Sequence, residues 1–259
     1  MSQSLFLQTA IMAARAAEQV IRKYYSGNIE VQLKADQSPV TIADVESERT
    51  IKRIILDAFP DHGFYGEETG KVNADAEYNW LIDPIDGTKA FVRRYPFFST
   101  QIALMRGEEL ILGVSNAPLY GEMAYAEKNN GAFLNNQPIK TSGYTTVAQS
   151  ALSLGNIATL ASKPQQWAET GQIIQEVQRV RGYGDFLHYH LLAAGKVDLV
   201  MESDVNILDV AALSVIVNEA GGKFTDLSGQ PLNLATTTVL AAASPELHHT
   251  VQQRLQYAP

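Results

Sequence analysis

Between Tyr78 and Ala126 the chain packs four strand-like runs into fewer than fifty residues, and no other stretch constrains the fold as much. Tyr78 to Ile82 is a short apolar run stopped by Asp83-Pro84. From Phe98 to Met105, Phe98, Thr100, Ile102 and Leu104 alternate with Ser99, Gln101, Ala103 and Met105, the period of two that sends successive side chains to opposite faces of a sheet. Leu110 to Ser115 and Glu122 to Ala126 follow as further strands, and Asn129-Asn130-Gly131 is a strong hairpin signal because Asn and Gly accept positive φ cheaply. The middle of the chain therefore reads as antiparallel hairpins.

On both sides the period becomes helical. In residues 3–25, Phe6, Ala10, Ala13, Ala17, Val20 and Tyr24 step by three or four and stack on one face. A second helix is expected from about Thr41 to Phe59, ended by the turn residues Pro60-Asp61-His62-Gly63. Further on, helices are expected over Pro164–Val180, Asp185–Ala194 and Leu208–Ala220, with strands at Val197–Met201, Lys223–Asp226 and Thr238–Ala242. Ser244-Pro245 opens the last helix as N-cap and N1 proline. Helices flanking hairpins suggest a layered α/β or α+β fold, of which α+β is the expectation. With no Pro/Gly/Ser-rich linker in 259 residues, one compact unit is expected over 1–259, with approximate halves 1–145 and 146–259.

Composition removes several function classes. A net charge of −8 lacks the basic stripe that nucleic acid or an anionic membrane rewards, so neither partner is expected. No cysteine is present, which excludes thiolate zinc sites and a cysteine nucleophile and suits a reducing, cytoplasmic setting. Met1 to Tyr25 lacks the pattern of a signal peptide, and Arg15, Glu18, Arg22 and Lys23 break the one candidate membrane span. No Gly-x-x-x-x-Gly-Lys or His-Glu-x-x-His is found. His188 and His190 are two apart on an expected helix and do not share a face. With His248 and His249 they read as surface or pocket-lining groups.

The chemistry concentrates in Trp80-Leu81-Ile82-Asp83-Pro84-Ile85-Asp86-Gly87-Thr88. An apolar strand delivers the chain to the top of a sheet, Pro84 fixes a turn, and Asp83 and Asp86 stand three apart across it. Gly87 lets backbone approach a ligand, and the amides of Gly87 and Thr88 would face an anion if a helix begins there. Carboxylates this close repel unless a cation lies between them, and oxygen donors favour Mg²⁺ over zinc or copper. Tyr65-Gly66-Glu67-Glu68-Thr69-Gly70 places two further acids in an expected loop, and Asp209 starts an apolar helix. Each acid also has a structural use: Asp209 suits a helix dipole, Thr41-x-x-Asp44 a capping box, and Glu67-Glu68 a solvated loop.

Gly66-Glu67-Glu68, Asp83-Pro84-Ile85-Asp86-Gly87-Thr88 and Asp209-Val210-Ala211-Ala212…Glu219-Ala220-Gly221-Gly222, in this order, resemble the inositol monophosphatase superfamily over nearly the whole chain. The resemblance implies a layered αβαβα sandwich, a homodimer, lithium sensitivity and Mg²⁺-dependent hydrolysis of a small phosphorylated metabolite, with two or three metals per site and Mn²⁺ as a substitute. It implies metal ligands at Glu67, Asp83, Asp86, Asp209 and the Ile85 carbonyl. It further implies that Glu67 and Thr88 orient the attacking water with Asp44 behind Thr88, that Asp86, Gly87, Thr88 and Asp209 meet the substrate, and that Lys34 is a basic group nearby.

Which ester is bound depends on other residues. Lys89-Ala90-Phe91 after the Asp-Gly-Thr, and Arg181-Gly182-Tyr183-Gly184-Asp185, are more like histidinol phosphatases than inositol phosphatases. Asp185 would pair with an ammonium group, unless it serves only as a helix N-cap. Glu202 stands where family members contact the alcohol portion of the substrate. Leu208 replaces a frequent aromatic residue and is expected to alter the pocket wall. Histidinol phosphate is the first expectation, myo-inositol monophosphate the second and 3′-phosphoadenosine 5′-phosphate the third. A metal-binding scaffold of the same fold is the non-enzymatic alternative.

Overall fold

The structure is a computed structural model and describes residues 3–27, 31–33 and 39–257. Lys34 lies outside the described residues.

Helix α1 (Leu5–Ser26) starts where Ser4 Oγ accepts the Leu7 amide, and α2 (Ile42–Ala58) starts on a capping box between Thr41 and Asp44. Thr41 closes a two-stranded ribbon of β1 (Val31–Leu33) and β2 (Pro39–Thr41). The first large sheet contains β3 (Gly63–Gly66), β4 (Gly70–Val72), β5 (Tyr78–Asp86), β6 (Ser99–Arg106), β7 (Glu109–Ala117), β8 (Glu122–Glu127), β9 (Ala132–Leu134) and β10 (Gln137–Ile139). Its order is β10-β9-β8-β7-β6-β5-β3-β4, and only the β3–β5 pair is parallel. The Asn129-Asn130-Gly131 turn joins β8 to β9 with φ of 65° at Asn129 and 75° at Gly131, as the sequence predicts. Between β5 and β6 lies the short helix α3 (Thr88–Val92).

The second sheet follows β11 (Ala151–Leu154), α4 (Ile157–Ala161), α5 (Pro164–Glu176), β12 (Arg179–Arg181), α6 (Asp185–Ala193), β13 (Leu199–Ser203), α7 (Ile207–Glu219), β14 (Lys223–Thr225), β15 (Thr238–Ala242) and α8 (Pro245–Leu255). Its order is β12-β11-β13-β15-β14, parallel around β11 and antiparallel around β15.

Side-chain alternation sets the layers. Trp80 and Ile82 of β5 join Ala10, Ala13, Ala14 and Ala17 of α1 and Ile51 and Ile55 of α2 in one core, while Leu81 faces α7 with Ala211 and Ala212. In the second sheet, Val200, Val239 and Ala241 face α6 and α7, whereas Leu199, Met201, Leu240 and Ala242 face α5 and α8. The order is thus α1/α2, large sheet, α6/α7, small sheet, α5/α8: the expected αβαβα sandwich. Helix α7 is apolar all round because both sheets cover it.

Three expectations need correction. The Pro164–Val180 helix stops at Glu176, because Arg179–Arg181 pairs in parallel with Ala151–Ser153 of β11. The Tyr78 strand does not stop at Asp83-Pro84 but continues to Asp86. The Tyr65–Gly70 stretch is a loop only from Glu67 to Thr69; its ends belong to β3 and β4.

Candidate active site

The extra length of β5 builds the site. Residues three apart on a regular strand point to opposite faces. Here Asp83 pairs with Gln101 and Asp86 with Ser99, so β5 spends one residue more than β6, a β-bulge at Pro84-Ile85. That residue returns both carboxylates to the same face. Pro84 has no N–H to lose from the ladder. Its carbonyl accepts the Thr100 hydroxyl at 2.9 Å, and the Ile85 amide donates to Asp83 Oδ1 at 2.9 Å, so the bulge leaves these backbone groups satisfied.

Asp209 arrives from the opposite layer at the start of α7, where its Oδ2 accepts the Asn206 amide at 2.9 Å in a capping box. Ligand oxygens of Asp83, Asp86 and Asp209 lie within 4.8 Å of one another. Glu67 lines the same cleft and shares a hydrogen bond with Asp83. Its loop is held by Glu48 of α2, wholly buried, which accepts the amides of Glu68 at 2.8 Å and Thr69 at 2.7 Å. A Cβ at Gly66 would run into that carboxylate, so glycine is required there.

Behind the bulge, Asp44 Oδ2 accepts the Thr41 amide at 2.8 Å and the Thr41 hydroxyl at 2.6 Å. The Thr88 hydroxyl points to Asp44 Oδ1 at 3.2 Å and to the Ile85 carbonyl at 3.1 Å. Gly87, at φ 94°, turns the strand into α3 and leaves no room for a side chain beneath the Phe97 carbonyl.

The electrostatics are unusual for acids. Burial, then Glu67, Asp86 and Asp209, raise the Asp83 pKa well above the ordinary carboxylate range. Burial, then Asp185, Asp209 and Glu202, do the same to Asp86. Burial, with Glu67 and Glu202, takes Asp209 up to about 7 against the Asn206 amide. Burial also raises Asp44 despite its bonds to Thr41. Among the described residues no lysine or arginine pairs with Asp83, Asp86 or Asp209. An all-oxygen donor set of crowded, desolvated carboxylates fits a hard divalent cation such as Mg²⁺ better than zinc or copper.

The cleft, about 810 Å³, extends from these acids to a wall formed by Tyr183, Asp185, Tyr189, Glu202 and Asp204. Burial, then Glu202, lifts Asp185 to about 6, while His188 and Lys89 oppose the shift. Glu202 is only 3% exposed, its Oε2 accepting Tyr189 Oη at 2.6 Å and facing His188 Nε2 at 3.0 Å.

Comparison with known proteins gives the family. The model of the inositol monophosphatase family matches residues 2–258. The chain belongs to the inositol monophosphatase family. A histidinol-phosphatase from Streptomyces coelicolor is 35% identical over 231 residues, 85% of this chain and 86% of the relative. An inositol-1-monophosphatase from Caulobacter vibrioides is 32% identical over 257 residues, 96% of this chain and 100% of the relative. Among solved structures, the inositol monophosphatase from Anabaena (Nostoc) sp. superposes with TM-score 0.83 at 33% identity, covering 98% of this chain and 96% of that one. The extragenic suppressor protein suhB from Bartonella henselae gives TM-score 0.88 at 27% identity, covering 99% of this chain and 100% of that one. This inositol monophosphatase family member is a phosphoric monoester hydrolase.

Within this family frame, two expectations about individual residues fail. Leu208 does not form the pocket wall; it is buried among Leu81, Ala103, Ala211 and Ala212, and α7 shows Asp209, Val210 and Leu213 to the cleft instead. His188 and His190 are neither at the surface nor among the residues that line the cleft. Helix α6 lies between the two sheets, so side chains two residues apart both meet protein: His188 faces Ser153 and Glu202, and His190 faces Ser115 at 2.8 Å and Glu122 at 3.2 Å. His248 is buried as well, against the Thr225 hydroxyl at 2.7 Å. Sequence reasoning missed Glu48, His188 and Tyr189. For Glu48 a signal existed, since an acid four residues after Asp44 lies on the helix face that Asp44 commits to the site. No helix among the described residues is long and apolar enough to cross a membrane.

Proposed function

We propose that this family member is a Mg²⁺-dependent phosphatase that hydrolyses L-histidinol phosphate, with Glu67, Asp83, Asp86, Asp209 and the Ile85 carbonyl as the metal ligands. The observation that carries the metal and reaction assignment is the convergence of Asp83, Asp86 and Asp209 beside the Thr88–Asp44 pair. Bound among these oxygens, divalent ions supply neutralisation of the carboxylates and Lewis acidity toward water and the ester oxygens.

The protein's own part is positioning. Asp44, fixed by two bonds from Thr41, and the Ile85 carbonyl attract the Thr88 proton, so the Thr88 oxygen offers its free lone pair to a water in the cleft. Glu67, on a loop that Glu48 holds, accepts that water's proton and keeps it in line with phosphorus. The amides of Gly87 and Thr88 face the phosphate oxygens. At the other end Asp185 pairs with the ammonium group of the leaving alcohol, with Glu202 adding negative potential behind it. Relatives of both names match this chain, and myo-inositol monophosphate is the second reading, favoured by the engagement of Glu202 with Tyr189 and His188, which leaves Asp185 alone to pair with an ammonium.

The test is phosphate release from histidinol phosphate, inositol 1-phosphate and 3′-phosphoadenosine 5′-phosphate across a magnesium titration, in wild type and Asp86→Asn. Expected are preference for histidinol phosphate and near-abolished turnover in the variant. Wild-type turnover in Asp86→Asn would refute the site, and equal rates on the first two esters would refute the substrate.

A further inference from the structure

His188 is wholly buried, two helical positions before His190, and has no place in the chemistry described above. Its two ring nitrogens join parts of the substrate wall that are distant in sequence. The Tyr183 amide donates to Ser153 Oγ at 3.2 Å, Ser153 Oγ lies 3.3 Å from His188 Nδ1, and His188 Nε2 lies 3.0 Å from Glu202 Oε2. In either charge state of the ring Nε2–H donates to Glu202. Ser153 Oγ donates to Nδ1 of the neutral ring or accepts from the imidazolium, and in both cases a lone pair receives the Tyr183 amide. Tyr189 Oη gives Glu202 a second donor at 2.6 Å. The other carboxylate oxygen rests against Gly155, where a Cβ would overlap it. Glu202 is therefore held on both sides and cannot swing toward or away from a ligand.

The same chain sets the loop before α6. Tyr183 and Asp185 line the cleft, with Gly184 between them at φ 73° and Asp185 itself at φ 45°, a left-handed turn that glycine and aspartate both accept. The Tyr183–Ser153 bond anchors this loop to β11, and His188 anchors it to β13 through Glu202. Asp185 and Glu202 feel one another's charge directly.

We propose that His188 is a specificity-positioning residue, the imidazole locking Glu202 and the Tyr183–Asp185 loop into one frame that reads a cationic alcohol group on the phosphate ester. This rests on the reading that the Asp185 end of the cleft receives an ammonium-bearing leaving group. The imidazole does not touch the substrate; it fixes the two acids that do the selecting. Loss of the frame lets Asp185 relax, weakens binding of the cationic end and leaves the phosphate end alone.

The experiment measures kcat and KM in saturating Mg²⁺ for an ammonium-bearing ester, histidinol phosphate, and a neutral one, glycerol 2-phosphate. It uses wild type, His188→Leu, His188→Gln and Ser153→Ala. For His188→Leu we expect a KM rise of about 10-fold or more on the ammonium ester, as for loss of a group that orients a ligand, with both constants on the neutral ester within about twofold. His188→Gln, whose amide donates where Nε2–H did, restores most of the preference. Ser153→Ala, which cuts the chain away from the carboxylate, shifts KM in the same direction by less and serves if His188→Leu does not fold. Equal losses on both esters, or preference kept in both His188→Leu and Ser153→Ala, overturns the inference. A wild-type protein without preference for the ammonium ester overturns the substrate reading itself, and the inference falls with it.

Discussion

On the large-sheet side of the cleft, Asp83 and Asp86 are buried beside Asp209 with no basic partner among the described residues; on the small-sheet side, Glu202 is buried as deeply but receives Tyr189 and His188. The first wall holds charge that the protein leaves unneutralised, and the second holds charge that the protein has already satisfied. Buried carboxylates that have hydrogen bonds but no cationic partner are expensive, so the first wall suits a cation that arrives from outside. The second is built to keep a shape.

The sharpest way to break this contrast is a pair of variants. Asp86→Asn is expected to reduce turnover about 10³-fold, the loss typical of a key electrostatic group, while the metal-free protein melts no lower than wild type because a repulsive buried charge is gone. Glu202→Leu is expected to destabilise the metal-free protein by about 1–3 kcal/mol, since Tyr189 Oη and His188 Nε2 lose the single oxygen that accepts both. Phosphate release and calorimetry in chelator check both. A large stability loss in Asp86→Asn would erase the distinction between the walls.

A smaller effect is expected behind the first wall. Glu48→Gln leaves one amide of the Glu67 loop facing an NH₂ group and should lower turnover about 10- to 100-fold by misplacing Glu67, as for other groups that orient metal ligands. A kinetic titration with Mg²⁺ checks it, and unchanged kinetics would show that the loop holds itself. Of similar size is the effect of the cation on melting. At a hundredfold excess over its Kd, Mg²⁺ should add about 2.7 kcal/mol, roughly 5–10 °C in Tm, to wild type and much less to Asp86→Asn.

The last effect concerns a base that does not line the cleft. Burial, then the nearby charges of Lys223 and His249, lowers the His248 pKa to about 4. The unfolded chain therefore binds the proton first, and stability present above pH ~6.5 is lost as pH falls toward 4, at no more than about 1.4 kcal/mol per pH unit. His248→Gln should flatten this part of the stability–pH curve in urea melts. An unchanged slope would assign the acid sensitivity to other groups.

Much of this organisation was legible in the sequence because it depends on local period or on motif order. The α1 and α2 stripes, the Asn129-Asn130-Gly131 turn and the Ser244-Pro245 start required no knowledge of the tertiary fold, whereas Asp209 was joined to Asp83 and Asp86 only through the family resemblance. What escaped depends on distant partners. Arg179–Arg181 is a strand only because β11 lies beside it, and its own residues favour helix as readily. Gly63–Gly66 has turn composition, yet β5 holds it as a strand. His188 and His190 read as incompatible on one face, which is true, but α6 has no free face.

The bulge at Pro84-Ile85 has a consequence for how such a centre can be made or lost. Pairing of Tyr78 through Asp83 with Arg106 through Gln101 runs unbroken up to the insertion. Removing one residue there would turn a carboxylate to the far side of the sheet without disturbing any rung below it. Catalytic competence and foldability are thus written at different places along one strand, and a single-codon deletion could silence the first while sparing the second.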